Sequence, residues 1–120
     1  MKTIIAGSRG ITDIATVAAA IVASGFQDQI TEVVSGAARG VDRLGEQWAA
    51  SVGIPVKSCP ADWRRHGRGA GLIRNREMAD YAGALIAVWD GQSRGTRSMI
   101  ELAEDRGLTV YVHIVEEANE

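Results

Sequence analysis

The chain has 120 residues, 46% hydrophobic and 23% charged, which suits one hydrophobic core and leaves little room for a second. A net charge of -2 argues against a protein that coats nucleic acid through bulk positive charge, and 14 glycines beside 2 prolines exclude a collagen-like or disordered chain. Of its 13 basic residues only Lys2 and Lys57 are lysine, a bias towards the side chain whose rigid fork of donors matches phosphate and carboxylate.

Thr3–Ala6 is the first short apolar run and reads as a strand ending at Gly7. Ile11, Ile14, Val17, Ala18, Ile21 and Val22 then recur at three and four, giving a helix with one buried stripe, capped by Thr12 or Asp13 and stopped at Gly25. Glu32–Ser35 is a second strand. Val41, Leu44, Trp48 and Val52 mark a second helix that ends at Gly53, and Ile54–Lys57 is a third strand. A long connection follows from Cys59, with a helical pattern over Ile73–Tyr81. Ala84–Trp89 is a fourth strand. Thr96 is the expected cap of a helix that buries Met99, Ile100 and Ala103 and ends at Gly107, and Leu108–Ile114 is a fifth strand. The near-continuous hydrophobicity of the strands suits cover on both faces. The alternation predicts one α/β domain over residues 1–120, a Rossmann-like, doubly wound open parallel sheet of five strands, order 3-2-1-4-5, with helices on both faces.

Thr3–Ala6 is too short for a signal peptide, and no apolar run approaches the ~20 residues of a membrane span. A cytoplasmic protein with no membrane partner is expected, and the lone Cys59 fits a reducing compartment. Cys59 and His66 could form a thiolate pair, but one cysteine at a strand end reads more simply as a small buried hydrophobe.

Ligands of such sheets bind beyond the carboxyl ends of the strands, where the strand order reverses. Three loops lie there: Gly7-Ser8-Arg9-Gly10, Ser35-Gly36-Ala37-Ala38-Arg39-Gly40, and Asp90-Gly91-Gln92-Ser93-Arg94-Gly95-Thr96. Each has glycine, serine and one arginine and runs into a helix N-terminus, where free N–H groups and a partial positive charge favour an anion. Gly-x-Gly-x-x-Gly is absent after the first strand and no acid ends the second, so an ordinary NAD enzyme is not expected. The P-loop signature is also absent, and no His/Cys cluster has metal spacing. No cofactor or metal is therefore expected. In the third connection, Trp63 could stack on a base while Arg64, Arg65 and Arg68 close over phosphate, or it could sit in the core beside a solvated arginine turn. Arg74 and Asn75 open the third helix facing the same pocket. Ten glycines (7, 10, 36, 40, 45, 67, 69, 71, 91 and 95) and seven arginines (9, 39, 64, 65, 68, 74 and 94) are assigned to or beside this rim.

Ile5-Ala-Gly-Ser-Arg9, Val34-Ser-Gly-Ala-Ala-Arg-Gly-Val-Asp42, Ala61-Asp-Trp63, Arg74-Asn-Arg-Glu-Met78 and Asp90-Gly-Gln-Ser-Arg-Gly-Thr96 together resemble the SLOG superfamily. That superfamily joins the Rossmann domain of DNA-processing protein A to the LOG phosphoribohydrolases, and the chain looks closest to its small single-domain YspA-related branch. The resemblance implies a nucleotide or nucleotide-derived ligand, sensed or sequestered, and a homodimer. A phosphoribohydrolase is the alternative, and a single-stranded DNA-binding protein a further one. The hydrolases carry Pro-Gly-Gly-x-Gly-Thr-x-x-Glu, whereas here Met99 stands at the glutamate position and Gln92-Ser93 interrupts the glycines. Glu101 lies about 200° further round the helix. Glu77, Glu101 and Asp42 are the remaining candidate catalytic carboxylates.

Overall fold

Strict alternation along the central strands sends successive side chains to opposite faces, and both faces are covered. The computed structural model describes residues 1–116. Ile5, Val33, Ile86 and Val88 enter one core with Val17, Ile21, Leu44 and Trp48. Their neighbours Ile4, Val34, Leu85 and Ala87 enter a second core with Met78, Met99 and Ile100. Burying each large aliphatic side chain contributes about 1.5–3 kcal/mol, so the two cores carry the fold.

The strands are β1 (Lys2–Gly7), β2 (Glu32–Ser35), β3 (Val56–Ser58), β4 (Ala84–Trp89) and β5 (Thr109–Ile114). They form one parallel sheet in the order β3-β2-β1-β4-β5. Helices α1 (Ile14–Ser24) and α2 (Val41–Val52) cover one face, and α4 (Ala70–Tyr81) and α5 (Arg94–Asp105) the other. The short α3 (Trp63–His66) and a 3-10 turn at Gly67–Gly69 lead into α4. The sheet is thus the doubly wound, order 3-2-1-4-5 fold expected from the sequence. No helix among the described residues is long and apolar enough to cross a membrane.

Several local expectations are corrected. Of the two caps expected for α1, Asp13 is the one that serves, accepting from the Ala15 N–H at 2.9 Å. The helix therefore starts at Ile14 and buries Val17, Ala20 and Ile21, leaving Ile14 and Val22 exposed. Ser93, rather than Thr96, caps α5: its Oγ accepts from the Thr96 N–H at 3.5 Å and from the Thr96 hydroxyl at 3.1 Å. Thr96 is buried in the first turn. β3 is shorter and later than Ile54–Lys57 and exposed throughout, because it is the sheet's edge. The connection after Cys59 is largely helical, with Asp62 capping α3 through the Arg65 N–H, and α4 starts at Ala70 rather than Ile73.

β1 ends where packing is tightest. A Cβ on Gly7 would run into the backbone carbonyl of Val88 and lie 2.8 Å from Val41 Cγ2, and neither can yield without moving a strand or a helix. Gly10, in the same loop, has open space around it. Gly7→Ala is expected to lower stability by about 3 kcal/mol, roughly 10 °C in Tm, and Gly10→Ala by less than about 0.5 kcal/mol. Thermal denaturation of both variants checks this, and equal small losses would contradict the packing.

Candidate functional site

At the carboxyl edge of the sheet the first loop is held to both sides by Ser8. Its N–H donates to the Val88 carbonyl (3.1 Å), its buried Oγ accepts from the Asp90 N–H (3.0 Å), and its carbonyl accepts from the Val41 N–H (3.5 Å). Asp90 in turn accepts from the N–H groups of Gln92 (2.8 Å) and Ser93 (2.9 Å). Those two donors hold its carboxyl below the ordinary carboxylate value. Gly40, at φ 81°, lies against the Ser8 carbonyl and the Arg9 backbone, a conformation and a closeness that only glycine tolerates.

The second loop meets α4. Arg74 donates from Nη1 to the Gly36 carbonyl (2.6 Å) and from Nε to Asn75 Oδ1 (2.9 Å). A Cβ on Gly36 would stand 2.5 Å from that Nη1 and 2.8 Å from Asp42 Oδ2, so the missing side chain leaves the space both groups occupy. Ala37 sits at φ 60°, a left-handed conformation costly for a residue with a Cβ. Its N–H donates to Ser35 Oγ, and the Ser35 hydroxyl donates to Glu46 Oε2 at 2.6 Å.

Two adjoining hollows result. The first, about 400 Å³, is lined by Gly7, Ser8, Arg9, Asp42, Arg74, Asn75, Asp90, Ser93, Gly95 and Thr96, with Met78 and Met99 among its apolar lining. The second, about 350 Å³, is lined by Gly36, Ala37, Arg39, Trp63 and the Pro60-Ala61 turn. Arg9, Ala38 and Arg74 line both. The second contains three arginines, an indole 54% exposed, and no carboxylate. Among the described residues the ion pairs are Arg43–Glu46 and Arg106–Asp80, so Arg9, Arg39 and Arg74 are not neutralised by a paired acid.

The rim is narrower than the sequence implied. Of the expected residues, Ser35, Gly40, Gly91 and Arg94 line neither hollow. Ser35 is buried by its bond to Glu46, Gly40 shapes the loop, and Arg94 and the α3 arginines Arg64 and Arg65 are exposed, with Arg68 beside them. Helix formation after Asp62 turns Trp63 to the hollow and leaves these three arginines out of its lining. A Cβ on Gly45 would stand 2.8 Å from Ile5 Cγ2, so its reason is helix-to-strand contact. Of the candidate catalytic carboxylates, Asp42 lines the first hollow; Glu77 and Glu101 are exposed and line neither. Cys59 packs part-buried against the second core, and burial pushes its thiol up, away from the thiolate form. Met78 and Met99 also line the first hollow without having been among the expected site residues, because an apolar residue at helical spacing reads as core and spacing alone does not mark it as bordering a cavity.

A model of the YspA, cpYpsA-related SLOG family matches residues 1–66, more than half of the chain; Arg74 and the Asp90–Thr96 loop lie beyond the matched span. Gene 61 protein of Mycobacterium phage D29 is 38% identical over 85 residues, 65% of this chain and 67% of that protein. Among solved structures, DNA processing protein A from Streptococcus pneumoniae superposes with a TM-score of 0.73 at 17% identity, over 98% of this chain and 51% of that one. The chain thus spans about half of that protein. A structure titled for the single-stranded DNA binding mode of DNA processing protein A from Helicobacter pylori gives a TM-score of 0.67 at 20% identity, over 100% and 67% of the two chains. At these identities the likeness is one of fold.

Asp42 is 6% exposed, and burial pushes its carboxyl up to about 6 from an ordinary 3.8, against the Ala38 N–H and the guanidinium groups of Arg74 and Arg9. The folded protein therefore holds this proton more tightly than the unfolded chain. The contribution of the protonated form to stability is lost as pH rises from about 4 through about 6, a cost of about 3 kcal/mol at neutral pH. Asp42→Asn should be more stable than the parent by about 2–3 kcal/mol at neutral pH, with the difference vanishing near pH 4. Denaturant unfolding across that range checks it; a variant less stable at neutral pH would show that the ionised carboxylate anchors the loop.

Proposed function

The chain belongs to the YspA, cpYpsA-related SLOG family, and from that membership together with the cleft we propose that it binds a small nucleotide or nucleotide derivative, sensing or sequestering it without cleaving it. The observation that carries this reading is Arg74. It is braced on Gly36 and Asn75, borders both hollows, and has no paired carboxylate to consume its remaining donors. A braced guanidinium loses little freedom when a phosphate arrives, and charge-assisted, bidentate bonds are the strong ones. Arg9 and Arg39 add charge, and the α5 N-terminus, with Gly95 and Thr96 in the lining, adds backbone donors. The homodimer that the family resemblance implies is part of the same proposal.

Binding without hydrolysis is favoured because the candidate carboxylates Glu77 and Glu101 lie outside the cleft and the acids within it hold loop N–H groups. Asp90 accepts two loop N–H groups and Asp42 accepts the Ala38 N–H. Met99, at the position of the hydrolase glutamate, is buried. A second reading, single-stranded DNA binding, is favoured by the exposed Trp63 beside three arginines and by the likeness to the Helicobacter pylori protein. Salt separates the two readings, because a strand that engages several phosphates releases several counterions.

Calorimetry with nucleoside mono- and diphosphates is expected to give saturable binding with a shallow salt slope. Arg74→Ala should weaken it about tenfold or more and Arg39→Ala by less, consistent with about 1.5–3 kcal/mol for a hydrogen bond to a charged group. Because Arg74 also braces a loop, Arg39→Ala, at an exposed position, serves as the variant expected to fold as the parent does. Unchanged affinity in both variants, or binding of oligonucleotide alone with a steep salt slope, would overturn the proposal.

A further inference from the structure

The cleft carries arginine in its middle; one end is a mixed polar pocket that two methionines also line, and the other holds an aromatic side chain. Arg9 and Arg74 stand where the two hollows meet. To one side lie the buried Met78 and Met99 with the amide of Asn75; to the other, the exposed indole of Trp63. A mononucleotide would fill one side and leave the other wet. Resting on the nucleotide reading, we propose that the ligand is a dinucleotide: two bases joined through a phosphate or pyrophosphate, with one base over the two methionines, the bridge on Arg9 and Arg74, and the second base stacked on Trp63.

The two flat sites differ in kind. The methionine side is also lined by hydroxyls, by the Asp42 and Asp90 carboxylates and by the Asn75 amide, whose Oδ1 already accepts from Arg74 Nε, so the polar groups left there suit the edge of a base. Trp63 offers its exposed indole, and stacking on an aromatic face accepts any base. Trp63 should therefore set affinity, and Asn75 discrimination between bases.

On the methionine side, charge limits how far an anionic chain can run. A third hollow opens past Ser8 and Gly10, and Asp13, Asp90 and Glu116 line it without any arginine or lysine. Further phosphates on that side would meet carboxylates at close range, an unfavourable approach. A strand gains nothing by continuing there, whereas a molecule that ends at the base beside the methionines is not penalised.

Calorimetry on the whole chain with four probes tests this: AMP, the phosphodiester ApA, the pyrophosphate-bridged diadenosine diphosphate, and a long oligo(dA). At least one dinucleotide is expected to bind about tenfold or more tighter than AMP, the contribution of one stacked base. Trp63→Ala should bring the dinucleotide down to the affinity of AMP for the parent, and Trp63→Phe should restore part of the gain. AMP binding as tightly as both dinucleotides, with no effect of Trp63→Ala, would overturn the dinucleotide inference and leave the nucleotide reading standing. Affinity that keeps rising with oligo(dA) length would overturn it in favour of a strand. Binding of none of the four would remove the nucleotide reading itself.

Discussion

The close approach of β1 to β4 and α2 at Gly7 fixes the carboxyl edge of the sheet. With no side chain at this position, the strand end lies directly under the Val88 carbonyl and against Val41. Ser8, one residue on, can then bond in both directions, to β4 through Val88 and Asp90 and to α2 through Val41. From Asp90 the order continues through Ser93 into the first turn of α5. The point at which the strand order reverses is therefore a hydrogen-bonded junction, and the loops around it are held by one another before any ligand is present.

Arg74 uses that junction differently. It reaches 38 residues back to the Gly36 carbonyl, across space that any other residue at position 36 would fill. The brace leaves a cation over a cleft beside a buried carboxylate whose ionisation burial opposes. Burying Asp42 and holding Ala37 in a left-handed conformation both cost stability. Ala37 sits in the loop beside the second hollow and Asp42 in the first turn of α2 that follows it, and costs kept at such a place are consistent with a segment shaped for a ligand more than for stability.

The fold was legible because the strands are short, apolar and separated by helices, and the right-handed crossover rule leaves few topologies. The cleft residues of the first and third loops were legible for a related reason: glycine and serine mark tight strand-to-helix turns, and those turns stand at the switch point. What the sequence concealed was direction. Arg64, Arg65 and Arg68 share a segment with Trp63, yet helix formation after Asp62 brings only the indole to the cleft. Ser35 reads as a phosphate donor but is taken by Glu46, eleven residues on. Glycine is ambiguous in the same way, since Gly36 clears room for the arginine and Gly45 merely lets a helix touch Ile5. Residue type indicates what a group can do, and only packing decides whether it is free to do it.

The central claim is that Arg74 marks the middle of an anion-binding cleft. A crystal structure of the protein with ADP bound tests it most directly. Phosphate oxygens are expected within hydrogen-bond distance of the Arg74 guanidinium, with the adenine beside Met78 and Met99 or on Trp63. Phosphate seated elsewhere on the protein, with Arg74 bonded only to Gly36 and Asn75, would contradict it.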